Sequence, residues 1–257
     1  MQSFNSQKIK SISKFTSVFA LLLTLVGCAS TEKQSPVEQD LDLAQTALLN
    51  GHADRALSIY KKKLEKQPQD PKLLFLAGSA ANQSAKFSEA LHYLEKGLEL
   101  APSAGFYREI GRAYLALGDL LKASDMLEKS VELQGKDDVA LNSLGVTFSL
   151  QQKYPDARDV YKRALQLRPD SIEYRNNLAL AWMLDGNPSK AIDILYPIYQ
   201  RGEASKKVSL NLAVSYAIVG KVDAAKLIAS DVLTNAELQN NANYYRLLAD
   251  GHAAGSE

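Results

Sequence analysis

The chain has 257 residues, with 30 lysines and arginines against 29 aspartates and glutamates, for a formal net charge of +1. So even a balance gives no basic stripe of the kind that nucleic-acid binding calls for. The one cysteine excludes a disulfide within the chain.

The N-terminus opens with Lys8, Lys10 and Lys14 and has no acidic residue before Glu32. Phe15 to Val26 is an apolar run, shorter than the ~20 residues of a membrane-spanning helix. This is the layout of a secretory signal peptide, expected over residues 1–27. A lone cysteine is ordinarily a buried structural thiol or a redox group, but Cys28 sits after a small residue at the end of the apolar run. Leu25-Val26-Gly27-Cys28 resembles the bacterial lipoprotein signal, the lipobox. The resemblance implies that Cys28 becomes the first mature residue and carries diacylglycerol on sulfur and an acyl chain, such as palmitate, on its amine. It also implies the outer membrane, with the body facing the periplasm, because Ala29 and Ser30 replace the aspartate of inner-membrane retention. Acyl chains contribute about 0.8 kcal/mol per buried methylene, so several of them anchor essentially permanently. Removing residues 1–27 takes away three lysines, leaving 27 basic against 29 acidic residues and a net charge of −2. Residues 28–36 are polar and aperiodic and read as a lipidated tether. Its eight residues after the cysteine reach about 25–29 Å at most, so the first repeat stays near the membrane.

From residue 37 to 235 the chain repeats itself. Ala56, Ala90, Ala123, Ala157, Ala191 and Ala225 recur at intervals of 34, 33, 34, 34 and 34 residues. Gly51, Gly118, Gly186 and Gly220 each lie five residues before one of them, and Ala85 and Gln152 fill the same slot. That period belongs to stacked helix pairs, which are too short to bury a core alone and must share one with their neighbours. The unit over residues 138–171 shows the design. Leu141, Leu144, Gly145 and Phe148 fall on one helical face, and Ala157, Tyr161, Ala164 and Leu167 fall on another. Gly145 lets a neighbouring helix approach closely. Pro155 suits the first turn of the second helix, and Pro169 stops it.

These residues resemble the tetratricopeptide repeat. Matching sets are Leu74, Ala77, Gly78, Ala81, Ala90, Leu94, Gly97 and Pro102 in one unit, and Leu178, Ala179, Trp182, Ala191 and Leu195 in another. The resemblance implies an all-α fold, a right-handed α-α superhelix of about six helix pairs. Residues 236–257 read as a capping helix and tail, with Leu238, Tyr244, Tyr245, Leu247 and Leu248 available to cover the last pair. A solenoid needs such a cap over its terminal apolar surface.

Catalytic chemistry is not visible. His52, His92 and His252 have no metal-ligand spacing, and there is no His-Glu-x-x-His pair, phosphate loop or nucleophile elbow. Asp119, Asp137 and Asp138 stand at helix starts, where capping explains them. We therefore expect no enzyme, no catalytic residue, no metal, no cofactor and no small-molecule substrate.

The resemblance places the first helix of each pair on the inner, concave face. Its inward positions include Phe75, Asn82, Arg108, Arg112, Asn142 and Asn176. Asn142 and Asn176 share one slot, and Asn177 and Asn211 share the next. On such a face asparagine can hydrogen-bond an extended peptide backbone through acceptor and donors alike; equally, it can be solvated or hold neighbouring helices in place. The lysine, asparagine and arginine clamp of chaperone-binding repeats is incomplete, since Arg112 and Ser143 stand where its asparagines belong.

In the last third, Asn177-Leu178-Ala179-Leu180 is followed 34 residues later by Asn211-Leu212-Ala213-Val214, and Asn243-Tyr244-Tyr245-Arg246-Leu247 closes the series. With the lipobox, this resembles the tetratricopeptide lipoproteins of tight-adherence (Flp) pilus systems. That resemblance implies a pilotin-like adaptor in pilus assembly whose groove binds a secretin or another pilus component. Lipoproteins of type IV pilus biogenesis, of outer-membrane protein assembly and of cell-wall enzyme regulation have the same general layout and stay open here.

Overall fold

A computed structural model describes residues 36–231 and 233–253. The signal segment, Cys28 and most of the tether lie outside the described residues. Within them the chain forms thirteen helices and no strand. The first six pairs are α1 (Pro36–Leu49) with α2 (Ala53–Leu64), α3 (Pro71–Gln83) with α4 (Phe87–Leu100), α5 (Ala104–Ala116) with α6 (Leu120–Leu133), α7 (Asp138–Leu150) with α8 (Tyr154–Leu167), α9 (Ile172–Leu184) with α10 (Pro188–Gln200), and α11 (Lys206–Ile218) with α12 (Val222–Ala229). The last helix is α13 (Asn235–Ala253).

Each pair is set by three slots that recur along the chain. The first is the turn. Gly51, Ala85, Gly118, Gln152, Gly186 and Gly220 all have positive φ, between 58° and 81°. In every case the residue's N–H reaches back three residues and the next N–H reaches back five, as in Gly118 N to Leu115 O (3.1 Å) and Asp119 N to Tyr114 O (3.0 Å). This is the Schellman ending, which satisfies the last carbonyls of the first helix and reverses the chain. The second slot is the alanine ladder, whose six members are all 0–1% exposed. The third pairs a small residue on the first helix with a large one on the second. A Cβ added to Gly78, Gly111 or Gly145 would sit 2.4 Å from Leu94 Cγ, 2.6 Å from Leu127 Cγ or 2.5 Å from Tyr161 Cε1. The helices therefore close until these knobs fill the place of a missing side chain. Burial in that place pushes the Tyr161 hydroxyl up to about 12.

Four of the first helices also start alike, while Ser103 before α5 makes no such bond. Asp70, Asp137, Ser171 and Ser205 accept backbone N–H groups of the first turn of α3, α7, α9 and α11, satisfying donors the helix cannot. Among the described residues, each odd-numbered helix from α3 to α11 touches the next odd-numbered one, while the even-numbered helices make no comparable contacts with one another. The odd helices thus line the tighter, inner side of the stack and the even helices the outer side.

The end of the stack departs from the pattern. Helix α12 has 8 residues where α2 to α10 have 12 to 14 in the same role. Too short to seat another stacked helix, it gives way at Ser230, and Thr234 and Glu237 cap α13 reciprocally (Thr234 N to Glu237 Oε2 2.9 Å, Glu237 N to Thr234 Oγ1 3.3 Å). Helix α13 then packs mainly on α11 and reaches α9, with less contact to α12. Leu238 and Ala242 are buried there and Tyr245 is half-buried. Leu247 covers nothing, contrary to expectation, and is exposed on the far side of α13, while Tyr244 is largely exposed with its ring edge-on to Tyr245 at 5.5 Å.

The two turn residues that carry a Cβ at positive φ define a test. A left-handed conformation costs an L-residue about 1–2 kcal/mol, partly offset by the greater unfolded-state freedom of glycine. Ala85→Gly and Gln152→Gly should each raise the thermal midpoint, by roughly 1 kcal/mol of stability, and Gly118→Ala in the same slot should lower it.

Candidate functional site: the inner face

Two polar constructions occupy the inner face. The first gathers on Glu109, a carboxylate only 3% exposed on α5. Its Oε1 accepts from Arg108 Nε (3.0 Å) and Arg112 Nη1 (3.1 Å). Its Oε2 accepts from Arg112 Nη1 (3.0 Å) and from Asn82 Nδ2 (3.1 Å) on α3. Asn82 Nδ2 also donates to the Glu109 carbonyl at 2.9 Å. Arg108 extends the network to α7 by donating from Nη1 to Asp137 Oδ2 at 2.6 Å, while Asp137 Oδ1 caps Ala140. Burial pulls the Arg108 guanidinium down, but the facing Glu109 and Asp137 carboxylates outweigh it and hold its pKa above the ordinary arginine value. Two carboxylates, Glu109 and Asp137, thus balance Arg108 and Arg112, and Arg112 keeps its outer edge towards solvent.

Two atoms near this cluster are shielded from solvent without a hydrogen-bond partner, Ser79 Oγ and Asn82 Oδ1, both on α3. An orphaned buried polar atom costs about 1–3 kcal/mol, and such exceptions call for a reason, of which a binding role is one. Beside them Phe75 meets Phe106 edge-on, with centroids 5.3 Å apart. Phe75 is half-buried against α5, over Gly105.

The second construction is an amide ladder. Asn177 Nδ2 donates to Asn142 Oδ1 at 3.0 Å, and one repeat further Asn211 Nδ2 donates to Asn176 Oδ1 at 2.8 Å. Each rung joins positions 35 residues apart, one repeat and one residue, so the two slots form successive clasps between α7, α9 and α11. Asn142 also donates to Glu173 Oε1 at 3.3 Å. Asn176, Asn177 and Asn211 are buried. Their amides are engaged with one another, the arrangement in which asparagine holds neighbouring helices in place.

The structure therefore brings Asn82, Arg108 and Arg112 together in one cluster, seats Phe75 beside it, and ties Asn142, Asn176, Asn177 and Asn211 into rungs. Sequence reasoning passed over the organiser, Glu109. Its signal was present: it occupies the slot of Ser143, Asn177 and Asn211 in later units and lies between two arginines.

Comparison with known proteins agrees with the repeat architecture. Models described as "Tetratricopeptide repeat" match residues 104–170 and residues 41–104 and 144–206, together continuous from 41 to 206. The chain belongs to the tetratricopeptide-repeat family. Human tetratricopeptide repeat protein 13 is 26% identical over 131 residues, 51% of this chain. The chain spans 15% of that protein's length and a similarly small share of other curated relatives it matches. Among solved structures, a thermophilic tetratricopeptide-repeat protein of Thermus thermophilus has a TM-score of 0.60 at 21% identity, covering 70% of this chain and 99% of that one. A tetratricopeptide-repeat protein of Parabacteroides merdae has a TM-score of 0.64 at 19% identity, covering 83% and 89%. These likenesses show the fold, a right-handed superhelix of stacked pairs. Such a tetratricopeptide array is typically a non-catalytic scaffold that holds another protein.

The amide rungs give a second prediction. Asn176→Ala leaves the Asn211 amide buried without its acceptor and should cost about 1–3 kcal/mol. The double change Asn176→Leu with Asn211→Leu should cost clearly less than the sum of the two single changes, measured in a double-mutant cycle of unfolding midpoints. Strict additivity would show that the rung carries no coupling.

Proposed function

We propose that this chain is a lipid-anchored adaptor of the outer membrane that acts in pilus assembly, as a TadD-like, pilotin-like protein of tight-adherence systems. Its inner face binds a segment of a secretin or of another pilus component. The observation that carries the binding role is the open polar stretch of α3, α5 and α7. There Arg108, Arg112 and Asn82 are pre-arranged on one buried carboxylate and Arg112 still faces outward. A rigid charged cluster of this kind orders few side chains on binding, which lowers the entropic cost of association.

The anchor and the pilus assignment rest on sequence. The Leu-Val-Gly-Cys end of the signal segment supports acylation of Cys28, and the doubled Asn-Leu-Ala openings support the pilus resemblance. Among the described residues no helix is long and apolar enough to cross a membrane, so in this reading the acyl chains do the holding. The end of the stack that follows the tether is compatible with a nearby anionic surface. Lys62, Lys66 and Lys72 stand near Leu41 at the beginning of α1, beside Asp70 and the Lys63–Asp40 ion pair (2.7 Å), and unpaired basic residues near such a surface contribute about 1 kcal/mol each. Anchoring would raise the local concentration of the groove around membrane partners, so modest affinity suffices.

Two measurements test this. Cys28→Ser should abolish incorporation of labelled fatty acid and release the body into the periplasm; persistent labelling contradicts the anchor. Crosslinking in membranes followed by affinity capture should recover a secretin or pilus component with the wild-type chain and markedly less with Arg112→Glu. Recovery only of a barrel-assembly factor or a cell-wall enzyme would place the adaptor in one of those systems instead.

A further inference from the structure

The inner face changes character along the stack. Through α3, α5 and α7 it is polar and partly open, carrying Ser79, Asn82, Arg112 and Asn142. The Asn142 slot stays polar in α9 as Asn176, but the slots of Asn82 and of Ser79 become apolar, with Met183 and Leu180 on α9 and Ala217 and Val214 on α11. Arg112, Val146, Leu180 and Val214 occupy one slot in α5, α7, α9 and α11, and the first three are half-exposed. Val214 stands in the last repeat, where no further pair shelters it, yet it is 1% exposed. Its cover is α13. Leu238, Ala242 and Tyr245, spaced by four and three, turn one stripe of α13 into the cluster that holds Ala179, Met183, Val214 and Ala217. Arg246 Nη2 adds a hydrogen bond to Ile218 O at the end of α11 (3.4 Å). Of the elements before it, a stacked first helix touches mainly the second helix of the preceding pair, whereas α13 touches mainly α11, the first.

We propose that the apolar inner face of α9 and α11 is a binding site for an amphipathic helix of a protein partner, with α13 as its resting occupant. A partner helix bearing a large aliphatic, a small and an aromatic residue at i, i+4 and i+7 fits the seat that Leu238, Ala242 and Tyr245 now fill. Three features of α13 suit an occupant that can leave. It docks through a narrow stripe, with Asn240, Asn243 and Arg246 exposed on its other sides. It also displays Leu247, 72% exposed, away from the seat. Only a few residues separate it from α12, a spacing short enough to keep α13 at an effective concentration of about millimolar. An incoming helix must outcompete that concentration, so the site admits strong partners and rejects weak ones. The inference rests on the adaptor reading for the existence of a partner, but not for its identity.

The probe is a labelled peptide of residues 234–253, added to the full chain. In a chain carrying Leu238→Glu and Ala242→Glu, which undock α13, the peptide should bind at least about tenfold more tightly than to the wild-type chain, because the tethered competitor is gone. Adding Val214→Glu on α11 should abolish that binding. Equal affinity for wild-type and undocked chains, or binding that survives Val214→Glu, overturns the proposal. Hydrogen exchange on the unmodified chain provides a reading free of folding defects. Amides of α13 should exchange at least about tenfold faster than those of α9 and α11, as for a unit that opens locally. Equal protection would make α13 a permanent part of the core. Neither result depends on which pilus component is recovered from membranes, so this inference and the functional proposal can fail separately.

Discussion

The structure depends on the close approach of two helices over a missing side chain. Where Gly78, Gly111 and Gly145 face Leu94, Leu127 and Tyr161, the second helix of each pair settles against the backbone of the first. No pair closes a core by itself, since the second helix leaves its other side to the first helix of the next pair. Stability is therefore a chain of nearest-neighbour contacts. The approach distance fixes how far each pair rotates relative to the last, and this geometry brings the odd helices together on one side. The inner face is a consequence of packing, and its side chains are positioned by the core.

That dependence explains how polar residues are used there. The ladder of Asn142, Asn177, Asn176 and Asn211 repeats because the packing repeats: each rung crosses the same inter-pair seam with the same offset. Where the seam lies between α3, α5 and α7 the rung is replaced by charge, with Glu109 drawing Arg108, Arg112 and Asn82 inward and Asp137 receiving Arg108 from the far side. Like the amide rungs, this network ties the seam together, but it also leaves the outer edge of the paired Arg112 facing solvent. Beyond α9 the seam residues remain amides while the groove positions become apolar, and α13 covers them. Along the slot that begins with Ser79 and Arg112 the inner face turns apolar at Val146, stays partly open at Leu180, and is covered at Val214.

Much of this was legible in the sequence, for physical reasons specific to repeats. The alanines and the turn slot are dictated by backbone geometry that must recur in every pair, so their period identifies helix pairs, turns and the buried stripe together. Even the exceptions, Ala85 and Gln152, were visible as members of the glycine slot, and they adopt the same positive φ. Side-chain partnerships were less legible. Position alone placed Asn142 and Asn177 on one face, but an asparagine can serve a ligand or another asparagine equally well, and only the 35-residue offset of the rungs decides. Glu109 escaped notice because a carboxylate beside two arginines reads locally as a solvated charge run until burial shows otherwise. The path of α13 was hidden for a different reason. The sequence marks a helix with an apolar stripe, and choosing between the stack end and the groove requires knowing that α12 stops after 8 residues.

The central claim is that the chain meets its partner through the inner face, at the open section built by α3, α5 and α7. Photo-crosslinking side chains placed singly in the full-length protein, expressed in its own cells, test this directly. Sites at Arg112 and Val146 report on the inner face, and sites at Leu121 and Leu227 on the exposed surface of the even helices. The account predicts one discrete protein adduct from the inner sites and none from the outer sites. Adducts from Leu121 or Leu227 with a silent inner face would contradict it.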